Sequence, residues 1–258
     1  MDFIRSCETM AELVGDAIAD LVGTEEGGRF IRMGADGTPT RKIDQVAEDC
    51  ILAYLKEHPL CRTLISEELG RMTLEGEKGT IFLDPVDGTH NAIRGIPFYA
   101  LSIAYAEKGI VEQGYVKNLA AGETFSASRG EGASLDGKPI RVSRTSLLGD
   151  CAMSVYGRKF DLTPIMSLGK QIRRWRLLGA SALEICYVAC GRIDGFVDVR
   201  DTLRVTDAAA GMLVCEEAGG MVSDLDGNRI FFPDEVTVGR CLVATNGVLH
   251  NKVIEYLR

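Results

Sequence analysis

The stretch Ile81-Phe82-Leu83-Asp84-Pro85-Val86-Asp87-Gly88-Thr89 decides how this chain is interpreted. It has the pattern of a buried strand that meets carboxylates, a proline and a glycine at its end. Neighbouring carboxylates repel each other, which raises one pKa strongly unless a cation lies between them. An isolated Asp-Pro is most often a solvated turn before a helix cap. Here the chain looks helical after Gly88, so the Gly88 and Thr89 amides would form a helix start that suits phosphate. The segment predicts metal ligands beside a phosphate site.

Two other segments place carboxylates in comparable positions. Leu64-Ile65-Ser66-Glu67-Glu68 is an apolar strand that ends in acidic groups, and pairing with the first strand would bring Glu67 or Glu68 to the same edge. Val205 to Gly211 puts Asp207 in the first turn of a helix of small residues, which can approach other backbone closely. The alternative for Asp207 is a helix cap or dipole partner. Oxygen ligands without a His or Cys cluster favour magnesium or manganese over zinc.

The spacing of apolar residues predicts the order of elements. The first half is predicted to contain helices over Phe3–Leu21 and Asp44–Leu55, a mobile loop over 27–40 between them, and then a mostly antiparallel sheet. The strands predicted for that sheet are Thr63–Ser66, Thr80–Leu83, Ala100–Ala106, Ile110–Val116 and Glu123–Ser128. After Leu147 strands and helices alternate, which is typical of an α/β unit. The predicted elements there are a strand at Cys151–Val155, a helix at Ser181–Cys190, a strand at Ile193–Val199, a helix at Thr206–Ala218, strands at Met221–Ser223 and Leu242–Thr245, and a helix from Leu249.

This change of pattern predicts two closely packed subdomains. Residues 1–147 would form an α+β subdomain that carries the metal site. Residues 148–258 would form an α/β subdomain that contributes Asp207 and substrate contacts. The chain has no internal repeat and no linker rich in Pro or Ser, so the two parts are expected to act as one unit.

Composition excludes several classes of protein. A chain of 258 residues that is 46% hydrophobic can bury a sizeable core. The net charge of -8 provides no positive field for nucleic acid, so an anionic small substrate would need local help from a metal or arginine. No apolar run is long enough for a membrane span. The N-terminal segment does not fit a signal peptide, because acidic residues interrupt its apolar pattern. The eight cysteines include no Cys-x-x-Cys pair, which indicates reduced thiols in a cytoplasmic protein.

The motifs resemble a known family when they are taken together. Ser66-Glu67-Glu68, Asp84 to Thr89 and Asp207 to Gly211 are similar, in order and spacing, to the three signatures of the inositol monophosphatase family of metal-dependent phosphatases. The likeness is greatest to archaeal members that act on both fructose 1,6-bisphosphate and inositol 1-phosphate, through Gly34 to Thr40 and Gly95-Ile96-Pro97. The resemblance implies a mixed α/β fold, a layered αβαβα sandwich, and hydrolysis of phosphate monoesters of small polyols and sugars, as in gluconeogenesis. It also implies a cytoplasmic homodimer.

The resemblance implies a role for each matching residue. Two or three Mg²⁺ or Mn²⁺ ions would be held by Glu67, Asp84, the Val86 carbonyl, Asp87, Asp207 and, at a third site, Asp36 or Asp44. Thr89, with Glu67 or Asp44, would orient and deprotonate a water that attacks phosphorus directly, without a phospho-enzyme. The substrate would be contacted by Asp87, Gly88, Thr89, Arg176, Ser181, Arg200 and Thr202. Thr206 and Ala92 stand where many relatives have Trp and Phe, which leaves the substrate range open.

Several alternatives remain open from the sequence. The same chemistry could act on a nucleotide phosphate such as NADP or 3'-phosphoadenosine 5'-phosphate, or the chain could be a metal-binding regulatory protein without catalysis. A phosphatase of the haloacid dehalogenase type is disfavoured, because two residues separate Asp84 from Asp87 where its motif has one. The basic side chains Arg176, Arg200 and Arg204 are either solvated or bind phosphate and sugar hydroxyls.

Overall fold

The computed structural model describes residues 2–157 and 163–258 of the chain. The helices are α1 (Phe3–Ile18), α2 (Lys42–Glu57), α3 (Thr89–Ile93), α4 (Thr163–Gly169), α5 (Ser181–Ala189), α6 (Val205–Glu217) and α7 (His250–Leu257). The strands of the first half are β1 (Phe30–Met33), β2 (Pro39–Arg41), β3 (Thr63–Ser66), β4 (Gly70–Thr73), β5 (Thr80–Asp87), β6 (Ala100–Glu107), β7 (Ile110–Asn118), β8 (Thr124–Ser128), β9 (Gly132–Leu135) and β10 (Lys138–Pro139). Those of the second half are β11 (Ala152–Tyr156), β12 (Arg174–Arg176), β13 (Gly195–Leu203), β14 (Met221–Ser223) and β15 (Arg240–Thr245).

The strands form a hairpin and two larger sheets. The larger sheet has the order β10-β9-β8-β7-β6-β5-β3-β4 and is antiparallel except where β3 runs parallel to β5. The smaller sheet has the order β12-β11-β13-β15-β14, with β12 and β13 both parallel to β11. Strands β1 and β2 pair as an antiparallel hairpin. The mostly antiparallel sheet expected for the first half is therefore confirmed.

Alternating side chains along the strands hold the layers together. In β5, Leu83 packs with α1 and α2, whereas Phe82 packs with α5 and α6. In β13, Phe196 faces the same α5–α6 layer and Val197 packs with α4 and α7 on the other side. The order of layers is thus helices, sheet, helices, sheet, helices. The layered αβαβα sandwich predicted from the family resemblance is confirmed.

The small residues at the start of α6 allow it to lie directly on the larger sheet. A Cβ atom added to Gly114 of β7 would come within 2.9 Å of the Ala210 carbonyl oxygen. On the opposite side of α6, a Cβ atom on Gly211 would lie 3.0 Å from the Ala182 carbonyl oxygen in α5. Helix α6 is therefore fixed between β7 and α5, which determines where Asp207 lies.

Every predicted helix and strand has a counterpart, with ends displaced by a few residues. The segment 27–40, predicted to be a loop, contains most of the β1–β2 hairpin instead. Its Pro39 is the first residue of a strand, a position where the missing N–H costs little. Strands β4, β9, β10 and β12 and helix α4 were not predicted; β12 consists entirely of exposed residues and so has no apolar pattern. None of the eight cysteines, all of which lie in the described ranges, forms a disulfide, as expected. Within 2–157 and 163–258 there is no helix with the length and apolar character of a membrane span.

A buried glutamate beneath the hairpin makes the stability of the fold depend on pH. Glu48 of α2 is only 1% exposed; it accepts hydrogen bonds from the Ser66 hydroxyl and the Leu69 amide, and lies 3.6 Å from Arg32. Burial raises its pKa from 4.5 to about 7, which the Ser66 hydrogen bond only partly offsets. Between these two values the native state binds a proton that the unfolded chain has lost, so the free energy of unfolding falls as pH rises.

We therefore expect Glu48→Gln to flatten this dependence. The wild type should lose up to roughly 3 kcal/mol of unfolding free energy between about pH 5 and pH 8 from this group alone. Urea denaturation at both pH values measures the slope. Glu57→Gln, on the exposed side of α2, is the matched control and should keep the wild-type slope. An unchanged slope in Glu48→Gln would contradict the prediction.

Candidate active site

Three carboxylates meet at one edge of the larger sheet. Glu67, Asp84 and Asp207 each offer an oxygen, and these oxygens lie within 4.8 Å of one another. Glu67 and Asp84 are neighbours because β3 and β5 run parallel and Ser66 pairs with Leu83. Asp207 joins them because α6 begins at this edge, where the Ser102 hydroxyl donates to the Thr206 carbonyl oxygen over 3.2 Å. Residues distant in sequence therefore form a single acidic cluster.

Asp87, at the end of β5, connects this cluster to the second half of the chain. Its Oδ1 accepts from the Ser181 amide at 3.1 Å and its Oδ2 from the Ala182 amide at 2.7 Å. These are the first amides of α5, which have no partner within their own helix. The N-terminus of α5 thus fixes the orientation of the Asp87 carboxylate.

The electrostatics of the cluster favour a bound cation. The pKa values of Glu67, Asp84 and Asp87 are all raised, chiefly by burial. The next contribution is repulsion from a neighbouring carboxylate. Asp84 raises the pKa of Glu67, Asp87 raises that of Asp84, and Asp207 raises that of Asp87. A divalent ion relieves both costs, and carboxylate oxygens are the donors that Mg²⁺ and Mn²⁺ prefer. The residues present therefore fit a hard divalent metal.

A hydroxyl lies beside the cluster, between two acceptors. Thr89 Oγ1 is 2.9 Å from Asp44 Oδ1 and 3.0 Å from the Val86 carbonyl oxygen. Asp44 is 2% exposed, and its other oxygen accepts from the Arg41 amide at 2.9 Å. Burial, followed by the charge of Glu68, raises the pKa of Asp44 from 3.8 to about 7. Asp44 can therefore gain and lose a proton near neutral pH.

Arg204 enters the cluster from the residue before α6. Its Nη2 donates to Glu67 Oε1 at 2.7 Å, its Nε lies 3.3 Å from Asp207 Oδ2, and its Nη1 pairs with Asp36 Oδ2. Asp36 comes from the turn of the β1–β2 hairpin, where it also accepts from the amide and hydroxyl of Thr38. The sequence indicated Arg204 only as a possible phosphate ligand. The three-residue spacing between Arg204 and Asp207 was the signal in the sequence for the ion pair between these two residues.

The cluster forms one wall of a cavity of about 310 Å³. Arg200 and Tyr156 also line this cavity. The Arg200 guanidinium donates to Asp198 at distances between 2.6 and 3.1 Å and lies 4.3 Å from the centre of the Tyr156 ring. The remaining lining residues are Val86, Asp87, Gly88, Thr89, His90, Gly179, Ser181 and Arg204. Tyr156 was not predicted, because nothing in the pattern of β11 distinguishes it from a core residue.

Not every predicted residue lies at this cavity. The substrate candidates Gly88, Thr89, Ser181 and Arg200 line it, together with Asp87. Arg176 lies on the exposed edge strand β12 and Thr202 on an exposed part of β13, and neither is among the lining residues. Asp44 and Asp36 lie behind the wall and reach the site through Thr89 and Arg204.

Gly88 is the residue on which this arrangement of the wall depends. It has φ +88° at the start of α3, and an added Cβ would lie 3.0 Å from both the Ala180 Cβ and the Gly179 oxygen. We expect Gly88→Ala to destabilise the fold by about 2 kcal/mol or more and to lower kcat by displacing Thr89, because backbone strain and contact act together. Thermal denaturation and phosphate release measure the two effects.

Gly109→Ala is the matched control. Gly109 has φ +77°, but no atom lies within 4 Å of its added Cβ. Alanine at this position has the backbone strain of a left-handed residue, but its Cβ makes no close contact. The position also lies outside the cavity. It should keep the wild-type kcat and lose less stability than Gly88→Ala. Equal losses in both variants would show that close packing at Gly88 is unimportant.

The fold and the site together define a class of protein. A layered αβαβα sandwich with a buried carboxylate cluster beside a cavity that contains arginines is the arrangement of a sugar phosphatase. The model of the "Inositol monophosphatase family" matches residues 4–258. The chain therefore belongs to the inositol monophosphatase family, whose members are metal-dependent phosphatases.

Individual relatives agree with this assignment. The chain is 43% identical to a "Fructose-1,6-bisphosphatase/inositol-1-monophosphatase" of Methanothermobacter thermautotrophicus, covering 96% of this chain and 94% of the relative. It is 33% identical to a "Bifunctional NADP phosphatase/NAD kinase" of Methanococcus maripaludis, of which it spans about half, 49% of the length. A solved "inositol monophosphatase-fructose 1,6 bisphosphatase" has a TM-score of 0.91 at 29% identity, with 100% of both chains covered. The protein is accordingly an enzyme, a phosphoric monoester hydrolase, and the haloacid dehalogenase alternative is excluded.

Proposed function

We propose that the protein is a Mg²⁺-dependent phosphatase for small polyol and sugar phosphates, with fructose 1,6-bisphosphate and inositol 1-phosphate as its main substrates. The observation that carries the proposal is the convergence of Glu67, Asp84 and Asp207 within 4.8 Å at a cavity of about 310 Å³. A cavity of this size suits a small ligand. Relatives at 43% and 38% identity are named for these two activities.

The metal would be held by the residues that the resemblance implied. These are Glu67, Asp84, the Val86 carbonyl, Asp87 and Asp207, with Asp36 at a further site. A divalent ion there supplies positive charge that polarises the phosphoryl group and stabilises the negative charge of the transition state. The hydrogen bonds from the Ser181 and Ala182 amides hold Asp87 in place for this role.

Proton transfer would pass through Thr89. Its hydroxyl donates its single proton to an acceptor, and Asp44 Oδ1 lies 2.9 Å away. A lone pair on Thr89 Oγ1 can accept a proton from a water molecule in the cavity. Water then loses its proton to Thr89 Oγ1 as Thr89 passes its own proton to Asp44 Oδ1. The resulting hydroxide would attack phosphorus as the ester P–O bond breaks, without a phospho-enzyme. The departing alkoxide would take a proton from a solvent water molecule, and Asp44 would then return its proton to solvent.

The arginines and the backbone would hold the substrate. Arg200 is preorganised by Asp198 and Tyr156, so its free N–H groups can bind a second phosphate or a hydroxyl at little entropic cost. Gly88, Thr89 and Ser181 line the same cavity. The electric dipole of α3 contributes little, because the helix has only five residues. Arg176 and Thr202, which lie outside the lining, have no part in this binding mode.

A substrate panel tests the proposal. Phosphate release from fructose 1,6-bisphosphate and inositol 1-phosphate should require Mg²⁺ and stop with EDTA. Rapid acid quenching should trap no phosphorylated protein. Turnover of neither substrate in the presence of Mg²⁺ would refute the assignment.

NADP is the second candidate substrate. The bifunctional relatives, at 33% and 32% identity, match 98% of this chain and are named for NADP phosphatase activity. The panel therefore includes NADP and 3'-phosphoadenosine 5'-phosphate. A kcat/KM for NADP above that for both sugar phosphates would favour the nucleotide function.

We also propose the assembly and organisation that the resemblance implied. The protein would be a cytoplasmic homodimer, with subdomains over 1–147 and 148–258. Light scattering after size exclusion gives the oligomeric state, and limited proteolysis tests whether cleavage falls near residue 148. A monomer, or a first cut within either subdomain, would contradict these assignments.

A further inference from the structure

The guanidinium of Arg204 occupies an unusual position among the carboxylates. It contacts Glu67 after β3, Asp207 in α6 and Asp36 in the hairpin, three acidic residues from separate parts of the chain. The Arg204 side chain is 19% exposed, and those of Glu67 and Asp207 are 13% and 10% exposed. A single permanent positive charge therefore neutralises part of a buried acidic cluster.

The oxygens that Arg204 binds belong to the proposed metal ligands. Glu67 and Asp207 are two of the three residues whose oxygens lie within 4.8 Å of one another. An arginine donates hydrogen bonds and never coordinates a metal, since its guanidinium has no free lone pair. A cation bound close to both carboxylates must therefore compete with the guanidinium for charge and space.

Helix capping does not account for this side chain. The N-terminal cap of α6 is made by the Arg204 backbone amide, which donates to Asp207 Oδ2 at 3.2 Å and would do so with any side chain. The guanidinium reaches past its own helix to Glu67 and Asp36. The side chain therefore interacts with the acidic cluster and is not needed to cap the helix.

Arg204 differs from Arg200 in the groups that hold its guanidinium. The Arg200 guanidinium is bound to Asp198, which is outside the cluster, and stacks on Tyr156. In the described part of the chain, Arg204 pairs only with Asp36, Glu67 and Asp207. Both arginines line the cavity. If a metal takes over Glu67 and Asp207, the cavity is the direction in which the Arg204 guanidinium can find new anionic partners.

We propose that Arg204 is an internal counter-cation that a divalent metal displaces from Glu67 and Asp207, after which it binds phosphate in the cavity. The inference rests on the proposed metal-dependent function. It makes Arg204 a residue that lowers metal affinity in the free enzyme and binds phosphate once the metal is in place. Phosphate draws Arg204 out of the cluster, so phosphate and metal must each strengthen the binding of the other.

Calorimetric titration of the full chain with Mg²⁺, with and without saturating inorganic phosphate, tests this coupling. We expect Arg204→Gln to bind Mg²⁺ about tenfold more tightly than the wild type in the absence of phosphate. Phosphate should tighten Mg²⁺ binding severalfold in the wild type and have much less effect in the variant. A merely structural role would weaken Mg²⁺ binding instead.

Three further variants make the result decisive. Arg204→Lys keeps the charge but cannot bridge three carboxylates, so its Mg²⁺ affinity should lie between those of the wild type and Arg204→Gln; it also serves if the glutamine variant does not fold. Arg192→Gln removes an arginine that pairs with Glu123, away from the cavity, and should match the wild type. Asp84→Asn should abolish tight Mg²⁺ binding.

The outcomes separate the inference from the proposed function. Mg²⁺ binding that weakens or does not change in both Arg204 variants, while Asp84→Asn loses it, overturns the role of Arg204 and leaves the metal site intact. A wild type that binds no Mg²⁺ overturns the metal-dependent function and the inference with it. Circular dichroism of each variant confirms that the fold is retained.

Discussion

Asp87→Asn should lower kcat on fructose 1,6-bisphosphate by on the order of a thousandfold or more, while the protein remains folded. A metal ligand contributes several kcal/mol of transition-state stabilisation, and each 1.4 kcal/mol corresponds to a factor of ten in rate. The amide has one oxygen where the carboxylate has two, so it cannot both accept from the α5 amides and bind a cation with negative charge. Phosphate release at saturating Mg²⁺ measures the effect.

Stability should respond differently to the same substitution. Burial and repulsion from Asp207 raise the pKa of Asp87, so the ionised carboxylate is costly in the protein without metal. Asparagine removes that cost and gives up one of the two hydrogen bonds from α5. The melting temperature measured with EDTA should therefore change little. Wild-type turnover by Asp87→Asn would refute the metal assignment. An unfolded variant would show that the lost hydrogen bond outweighs the removal of the buried charge.

Thr89→Ala should have the second largest effect, a fall in kcat of about 100-fold to 10,000-fold, which is the range of general acid–base catalysis. The variant loses the hydroxyl that lies between Asp44 and the Val86 carbonyl oxygen, and with it the path for the proton. The KM for the substrate should change much less than kcat, because the arginines that hold the substrate remain. Steady-state kinetics at saturating Mg²⁺ separate the two constants.

Thr89→Ser is the matched control for this prediction. Serine keeps the hydroxyl within reach of Asp44 and loses only a methyl group, so it should retain most of the wild-type kcat. If alanine and serine lower kcat equally, the threonine has a packing role and the proposed proton path is wrong. If alanine has no effect, the proton leaves water by another route.

The sequence predicted those parts of the site that lie at the ends of regular elements. Asp84 and Glu67 could be placed together because each follows an apolar strand, and neighbouring parallel strands end at the same edge. Asp207 could be placed at a helix start because the residues after it are small. In these cases a local pattern fixes the direction of the side chain.

Contacts between distant loops were beyond such reasoning. The Arg204 guanidinium meets Asp36 because the hairpin folds back onto the start of α6, and no spacing along the chain encodes that approach. The Arg200 side chain lies on Tyr156 because β11 and β13 are neighbours in the smaller sheet. Arg176 is a different case: its position in a basic run suggested substrate binding, which stays a prediction, and it lies on the exposed edge strand β12, outside the lining of the cavity.

The two hydrogen bonds from α5 to Asp87 have a consequence for heat inactivation. Asp87 belongs to the larger sheet, while α5 packs against both sheets, so the carboxylate is held by two layers at once. A slip of about one ångström between those layers breaks the bonds without exposing the core, and misplacement on that scale costs about a hundredfold in rate. On slow warming, the rate of phosphate release should fall at a temperature several degrees below the melting temperature measured by circular dichroism. Cooling should restore the rate.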